Sequence, residues 1–469
     1  MNSTIKSLVA GTLEMPLSNC TLRQCEADAP IVYEGPGLLM QGADKSLSLR
    51  VFAPAVGLVE GFRRDLSDPF MPGKLVPGSR YYDFEGYDPH GTLWKATRLS
   101  LSVDHGSGTY IRARPRFIEK LEDLSVTHKQ AHVQAFLKEQ IALPWHVVTT
   151  KDELSWSVDR FEGASSDCEW EIKKSEIGVW VSFKCQGSLV ESRFEHFLRA
   201  LSILTGRLLR PTYLTLFEGS QQLTRIANRF HDANTEKLLA PIPNDRDFSG
   251  DAHLFLDRFM SKAREVEAPL EGLCDLAYRY WHRILSARES DIENSSLVLS
   301  VAVEGLTKKV VLTRSDVDAD FVKEVEMAKP LIKSAGLGPR ALSCVLSSLG
   351  NATTPKVQDA LQRLARDGLI RADHLGAWKQ LRHAAAHGAV LDVEDEALQE
   401  HLDRFHLCID LFYRLVFILI GYEGRHTDFG SNGWPSRTFG ANDVSAASGC
   451  DRLDSPARTL ADDVSGIKS

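Results

Sequence analysis

PIPNDRDFSGD, residues 241–251, divides the chain into two kinds of sequence. Its two prolines, one glycine and three aspartates mark a turn-rich break. Upstream, apolar residues recur at every second position, as in SLSLRVF (46–52), TRLSLSVD (97–104) and GVWVSFKC (178–185). Turn-forming pieces such as YEGPG (33–37), MPGKLVPGS (71–79) and GYDPHG (86–91) separate these runs. Short alternating strands between Gly/Pro turns predict a β-rich domain over residues 1–240, an antiparallel sheet or sandwich. HKQAHVQAFLKEQIAL (128–143) departs from this with a helical period. SRFEHFLRALSILTG (192–206) predicts a second helix, capped by Ser192 and ended by Gly206, before TYLTLFEG (212–219) returns to a strand.

Downstream, apolar residues fall three and four apart. Helices are predicted over 253–267, 270–288, 294–312, 318–335, 354–368, 373–388 and 394–421. Asn294 or Ser295 can cap the third, Thr354 with Pro355 can start the fifth, and Gly368 and Gly388 fit helix ends. The fold class is therefore α+β and multidomain. A linker at 241–252 joins the β-rich domain to an all-α bundle over 253–425, and an extension at 426–469 is expected to be partly disordered.

The 469 residues provide ample core material, 43% of them hydrophobic and 25% charged. A net charge of -8 gives no overall basic footprint for coating nucleic acid, although a local basic cleft depends on placement rather than totals. MNSTIKSLVAG at the start lacks the apolar core of a secretory signal. The most apolar stretch, FHLCIDLFYRLVFILIG (405–421), is interrupted by Asp410 and Arg414 and is too short beyond Arg414 to span a bilayer. No membrane partner is expected, and this helix is either core or a partner surface. The eight cysteines form no CxxC pair, which points to reduced thiols and a cytoplasmic setting.

Chemistry concentrates in WKQLRHAAAHG (378–388), which sets Arg382, His383 and His387 beside three alanines. Arg382 and His387 are separated by four residues, which on a helix is about 140° past a full turn. They converge on one phosphate only if the helix ends there, as Gly388 allows. A histidine at a helix C-terminus is favoured as imidazolium, which suits a general acid or base. An arginine supplies a permanent charge for phosphate. Similar spacings occur at Arg225/His231, Arg98/His105 and Arg246/His253, so spacing alone does not decide. His128 and His132 stand four apart but lack a third ligand, and no metal or cofactor is expected. Trp145, Trp156, Trp170 and Trp180 fit a β-domain core or a stacking platform. Cys20 and Cys25 read as buried thiols. No Walker loop, Rossmann glycine pattern or nucleophile elbow is present.

WKQLRHAAAHG resembles the R-X4–6-H signature of HEPN domains, with His383 at a position that is commonly polar. SLVLSVAVEGL (296–306), with Glu304, is similar to the family's apolar helix bearing an acidic residue. GSRYYDFEGYDPHGTLWKATRL (78–99) and the GYEG…DF…GWP ending look like ApeA-like anti-phage HEPN proteins. The resemblance implies a metal-independent endoribonuclease working in abortive infection. His387 would be the acid/base at the RNA 2′-hydroxyl or leaving 5′-oxygen, Arg382 would steady the phosphate, and His383 would support one of them. Glu304 would orient Arg382 or His387, or form a structural salt bridge. The implied partners are an RNA substrate, a second copy of the chain, and a phage-derived or cellular trigger sensed by the N-terminal domain. A non-catalytic HEPN binding or dimerisation protein with a ligand-sensing β domain is the alternative.

Overall fold

The computed structural model describes residues 3–42, 44–53, 73–104, 110–150, 156–187, 190–228, 237–265, 272–288, 290–312, 319–386 and 394–440. Within them the architecture is α+β. Fifteen strands form one antiparallel sheet, and nine helices follow from Val190 onward. From one edge the strands run Val147–Thr150, Trp156–Ala164, Cys168–Ser175, Gly178–Cys185, Ala131–Leu137, Tyr213–Glu218, Gln221–Ala227 and Phe117–Asp123. They continue through Leu93–Leu99, Tyr82–Tyr87, Glu14–Gln24, Val32–Gln41, Leu47–Val51, Tyr110–Ala113 and Leu101–Asp104. The helices are α1 (Ser3–Ala10), α2 (Val190–Thr205), α3 (Ser249–Arg264), α4 (Leu273–Arg288), α5 (Ile292–Val310), α6 (Ala319–Ser334), α7 (Pro339–Ala352), α8 (Val357–Arg366), α9 (Ala372–Ala386) and α10 (Asp395–Ile420).

Two differences from expectation have clear causes. Part of 128–143, expected to be helical, is the strand Ala131–Leu137, paired on both sides by Gly178–Cys185 and Tyr213–Glu218. Val133, Ala135 and Leu137 face one core while Phe136 faces the other, so apolar residues on both faces blur the period of two. Helix starts also shift. α2 begins before Ser192, α5 is capped by the Asp291 side chain accepting from the Asn294 amide, and α8 begins after Pro355 at Val357. The end of α2 is as predicted: Gly206 has φ +66°, and a Cβ there would lie 2.1 Å from the Leu238 carbonyl oxygen.

One core lies under α1 and the strands of the first 120 or so residues, including Leu22, Leu39, Phe84 and Ile118. The other is continuous from the strands around Ala131–Leu137 through α2 into α3, α4, α5, α8, α9 and α10. His253 of α3 rests on Phe161 at 4.5 Å, over the space left by Gly163. Arg264 of α3 pairs with Asp167 at 2.8 Å, and His196 of α2 meets Asp275 of α4 at 3.4 Å. Within 241–252, Ile242 is buried and Arg246–Phe248 is a 3-10 turn leading into α3. Sheet and bundle thus share apolar surface, the dominant source of folding free energy.

The stretch 405–421 is core. Cys408, Ile409, Leu411, Phe412, Leu415 and Val416 are wholly buried, so its apolar face has no room for a second chain. Gly421, at φ +66°, ends α10, and the following hairpin of Arg425–Thr427 and Ser436–Thr438 packs Tyr422, Phe429 and Phe439 onto the bundle. Residues 441–469 lie outside the described residues. Exposed apolar side chains gather instead on α6, where Met327 and Leu331 are 67% and 71% exposed, and α7 buries no residue. Among the described residues no helix is long and apolar enough to cross a membrane.

Candidate functional site

α9 is held against α5 by two contacts one turn apart. Trp378 Nε1 donates to the Ser300 carbonyl oxygen at 3.0 Å, and Arg382 Nε donates to Glu304 Oε2 at 2.9 Å. Both residue pairs advance by four, so the helices run in the same direction with matched turns. Ala377 and Leu381 of α9 are also buried. Gly305 allows close approach from α4, because a Cβ there would stand 2.1 Å from Tyr280 Oη. Glu304 therefore projects from a helix fixed on several sides.

Glu304 also accepts from Lys308 Nζ at 2.6 Å. Partial burial pushes the Glu304 carboxyl up, but the hydrogen bonds and charges of Lys308 and Arg382 outweigh it and hold the group below its ordinary value. Glu304 stays ionised and clamps the Nε edge of the guanidinium. The Arg382 side chain is 41% exposed, with no second partner among the described contacts of its terminal nitrogens. Those nitrogens can reach a phosphate oxygen.

His383 follows Arg382 on α9 and is exposed. His387 and Gly388 lie outside the described residues; in sequence, His387 comes directly after Ala386, the last residue of α9. The structure thus joins Arg382 to Glu304, of the four residues singled out by sequence. His128 and His132 are not on a helix. Their rings lie 5.0 Å apart, and His132 stacks on Phe217 at 4.3 Å. Among the described residues no group of three or more His, Cys, Asp or Glu side chains could hold a metal ion. Trp170 is core, Trp145 is partly buried against that same core, and Trp180 is partly buried against the other one.

A second polar cluster was not singled out as a set. His374 and Asp410, both wholly buried, meet at 3.0 Å, and Arg414 Nε donates to the same Asp410 oxygen at 2.7 Å. The Arg371 amide donates to His374 Nδ1, which leaves Nε2 as the ring nitrogen beside Asp410. Burial pushes the Asp410 carboxyl up, yet the His374 hydrogen bond and the Arg414 charge overcome it and drive the group far below the usual carboxylate range. Arg371 and Arg437 meet Asp428 nearby, which ties the C-terminal hairpin to the start of α9. The cluster is closed to solvent and about 12 Å along α9 from Arg382 at 1.5 Å per residue. Its role is to hold helices together. Asp410 and Arg414 four apart in an apolar run were a visible signal; His374, on another helix, carried none.

A cavity of about 540 Å³ opens between the N-terminal end of α2 and the strands around Leu216 and Leu223. Glu191, Glu195 and Glu218 line it. That charge repels phosphate, so the cavity is no candidate for an RNA backbone.

No protein-family model, no curated protein and no solved structure matches the chain.

Proposed function

We propose that the chain is a metal-independent endoribonuclease of the HEPN type, acting in anti-phage defence by cutting RNA under control of its N-terminal half. The observation that carries this reading is the clamping of Arg382 by Glu304 near the end of α9, with His387 next in sequence after that helix. In the proposed reaction His387 takes the proton of a ribose 2′-hydroxyl. The 2′-oxygen attacks the adjacent phosphorus, and the bond to the 5′-oxygen breaks. The leaving oxygen receives a proton, and a 2′,3′-cyclic phosphate remains. Arg382 offsets charge on the phosphate, where a preorganised donor is most effective. His383 supports one of the two. The 2′-hydroxyl as internal nucleophile restricts cleavage to RNA.

The proposal includes a homodimer, with the motifs of two chains facing one RNA. Residues 405–421 are used as core, so the pairing surface lies elsewhere. It also includes a gate. A phage-derived or cellular trigger held by the sheet would act on the bundle through α2 and α3, along contacts such as Arg264–Asp167 and His253–Phe161.

The test uses full-length protein purified from phage-challenged cells, with RNA and DNA of one sequence. RNA fragments ending in cyclic phosphate, unaffected by a chelator and lost with His387→Ala, are expected. Intact RNA, or equal cleavage by the two proteins, would favour a non-catalytic binding or dimerisation role.

A further inference from the structure

Cys168 and Cys185 stand directly opposite each other on the adjacent antiparallel strands Cys168–Ser175 and Gly178–Cys185. Backbone bonding identifies the kind of pair. The Gln186 amide donates to the Asp167 carbonyl oxygen at 3.0 Å, and the Cys168 carbonyl oxygen accepts from Ser165 at 2.8 Å instead of from Cys185. The two cysteines are therefore a non-hydrogen-bonded pair, in which Cα atoms approach to about 4.5 Å and side chains lie closest. That falls at the short end of the roughly 4.4–6.8 Å range that a disulfide spans. Both thiols are reduced, and the Cys168 thiol donates to Asp167 Oδ1 at 3.7 Å.

We propose that Cys168 and Cys185 form an oxidisable dithiol, which a hydroperoxide converts to a cross-strand disulfide. This does not rest on the ribonuclease reading. Cys185 is the attacking sulfur. The Cys168 thiol beside it holds the Cys185 thiol below its ordinary value; burial opposes this, and the nearby Arg193 guanidinium adds to it. Its thiolate attacks one peroxide oxygen, the O–O bond breaks, and the departing hydroxide takes a proton to leave as water. The Cys168 sulfur then attacks the resulting sulfenic acid and expels a second water. In sum, two thiols and one hydrogen peroxide give one disulfide and two waters.

The surroundings fit this chemistry. Both sulfurs are buried, Cys168 at 2% and Cys185 at 0% exposed, at strand ends beside the exposed residues Gln186, Gly187 and Glu169, so a small oxidant enters by opening of this edge. Cys20 and Cys274 contrast with Cys185: burial pushes Cys20 up to about 11 and Cys274 up to about 12, toward inert thiols. Cys168 too is held well above its ordinary value by its contact with Cys185 and by burial, which assigns it the second, resolving step. Position gives the pair a consequence. Asp167, next to Cys168, receives both Arg193 of α2 and Arg264 of α3, so a bond formed here stiffens the edge where sheet meets bundle.

The experiment treats the reduced full-length chain with rising hydrogen peroxide, alkylates in denaturant, and maps peptides without reductant. A peptide pair linked through Cys168 and Cys185, with loss of alkylation at both and recovery after dithiothreitol, is expected. Cys168→Ser should abolish the link and leave Cys185 trapped as sulfenic acid by dimedone. Full alkylation of both thiols, at peroxide that oxidises the exposed Cys344, would overturn the proposal. So would oxidation of Cys185 without the link, or its linkage to any other cysteine. The wild-type map stands without the variant.

Discussion

Glu304 holds Arg382 by its Nε edge at 2.9 Å, across two helices whose turns advance together. Edge binding fixes the plane of the guanidinium and leaves its far nitrogens for a ligand. Glu304→Gln is expected to lower RNA cleavage about 10- to 100-fold by loosening that orientation. Arg382→Ala removes the charge itself and should cost about 100- to 1,000-fold. Since the pair is partly exposed, either change should alter stability by less than about 1 kcal/mol. Initial rates and urea melts on the same preparations check both. Unchanged rates would assign the pair to helix packing alone.

The Asp410 cluster should behave in the opposite way. Asp410→Ala leaves Arg414 and His374 buried without their common acceptor, and breaking such a pair costs about 3–5 kcal/mol. Urea midpoints of the two alanine variants, Arg382→Ala and Asp410→Ala, should differ accordingly.

A pH dependence follows from the same carboxylate. The folded-state pKa of Asp410 lies far below its ordinary value because the His374 hydrogen bond and the Arg414 charge outweigh burial. Protons therefore bind more readily to the unfolded chain. The contribution is complete above about pH 4, the ordinary aspartate value, and fades as pH falls through the folded value. Asp410→Asn should be less stable than wild type at pH 7 and show a flatter loss between about pH 4 and 2. Urea melts across that range report the slope.

Because sheet and bundle share one core, damage in one should be felt in the other. Trp170 lies in the sheet, packed on Phe197 of α2 at 5.4 Å, within the core that reaches α10. Trp170→Ala should cost about 3–5 kcal/mol. Hydrogen exchange should then show protection falling in α3 and α4 as well as in the sheet. Loss confined to the sheet would indicate two independent units. A chain beginning at residue 241 would expose the faces of α3 and α4 that α2 covers, so the sheet's influence is best tested in the full chain.

What was legible in the sequence follows from how local each signal is. The alternation in residues 46–52 and 178–185, the change at 241–251 and Gly206 all depend on neighbours a few positions away, and they were readable. α7 was not among the predicted helices: PRALSCVLSSLGNA carries three serines and a single charge, and none of its residues is buried. The strand Ala131–Leu137 was hidden because a central strand is apolar on both faces. The run 405–421 fitted core and partner surface equally, since only the helices packed around it distinguish them. At the site, Arg382 and Glu304 were each legible through a resemblance. Their hydrogen bond depends on the register between α5 and α9, which no spacing along the chain encodes.

The central claim is tested most directly by total RNA from cells carrying the wild type, Arg382→Ala, His387→Ala or His231→Ala at matched soluble levels, with and without phage. The account predicts RNA breakage under challenge for the wild type and His231→Ala, and intact RNA for the other two. The same RNA pattern in all four would contradict it.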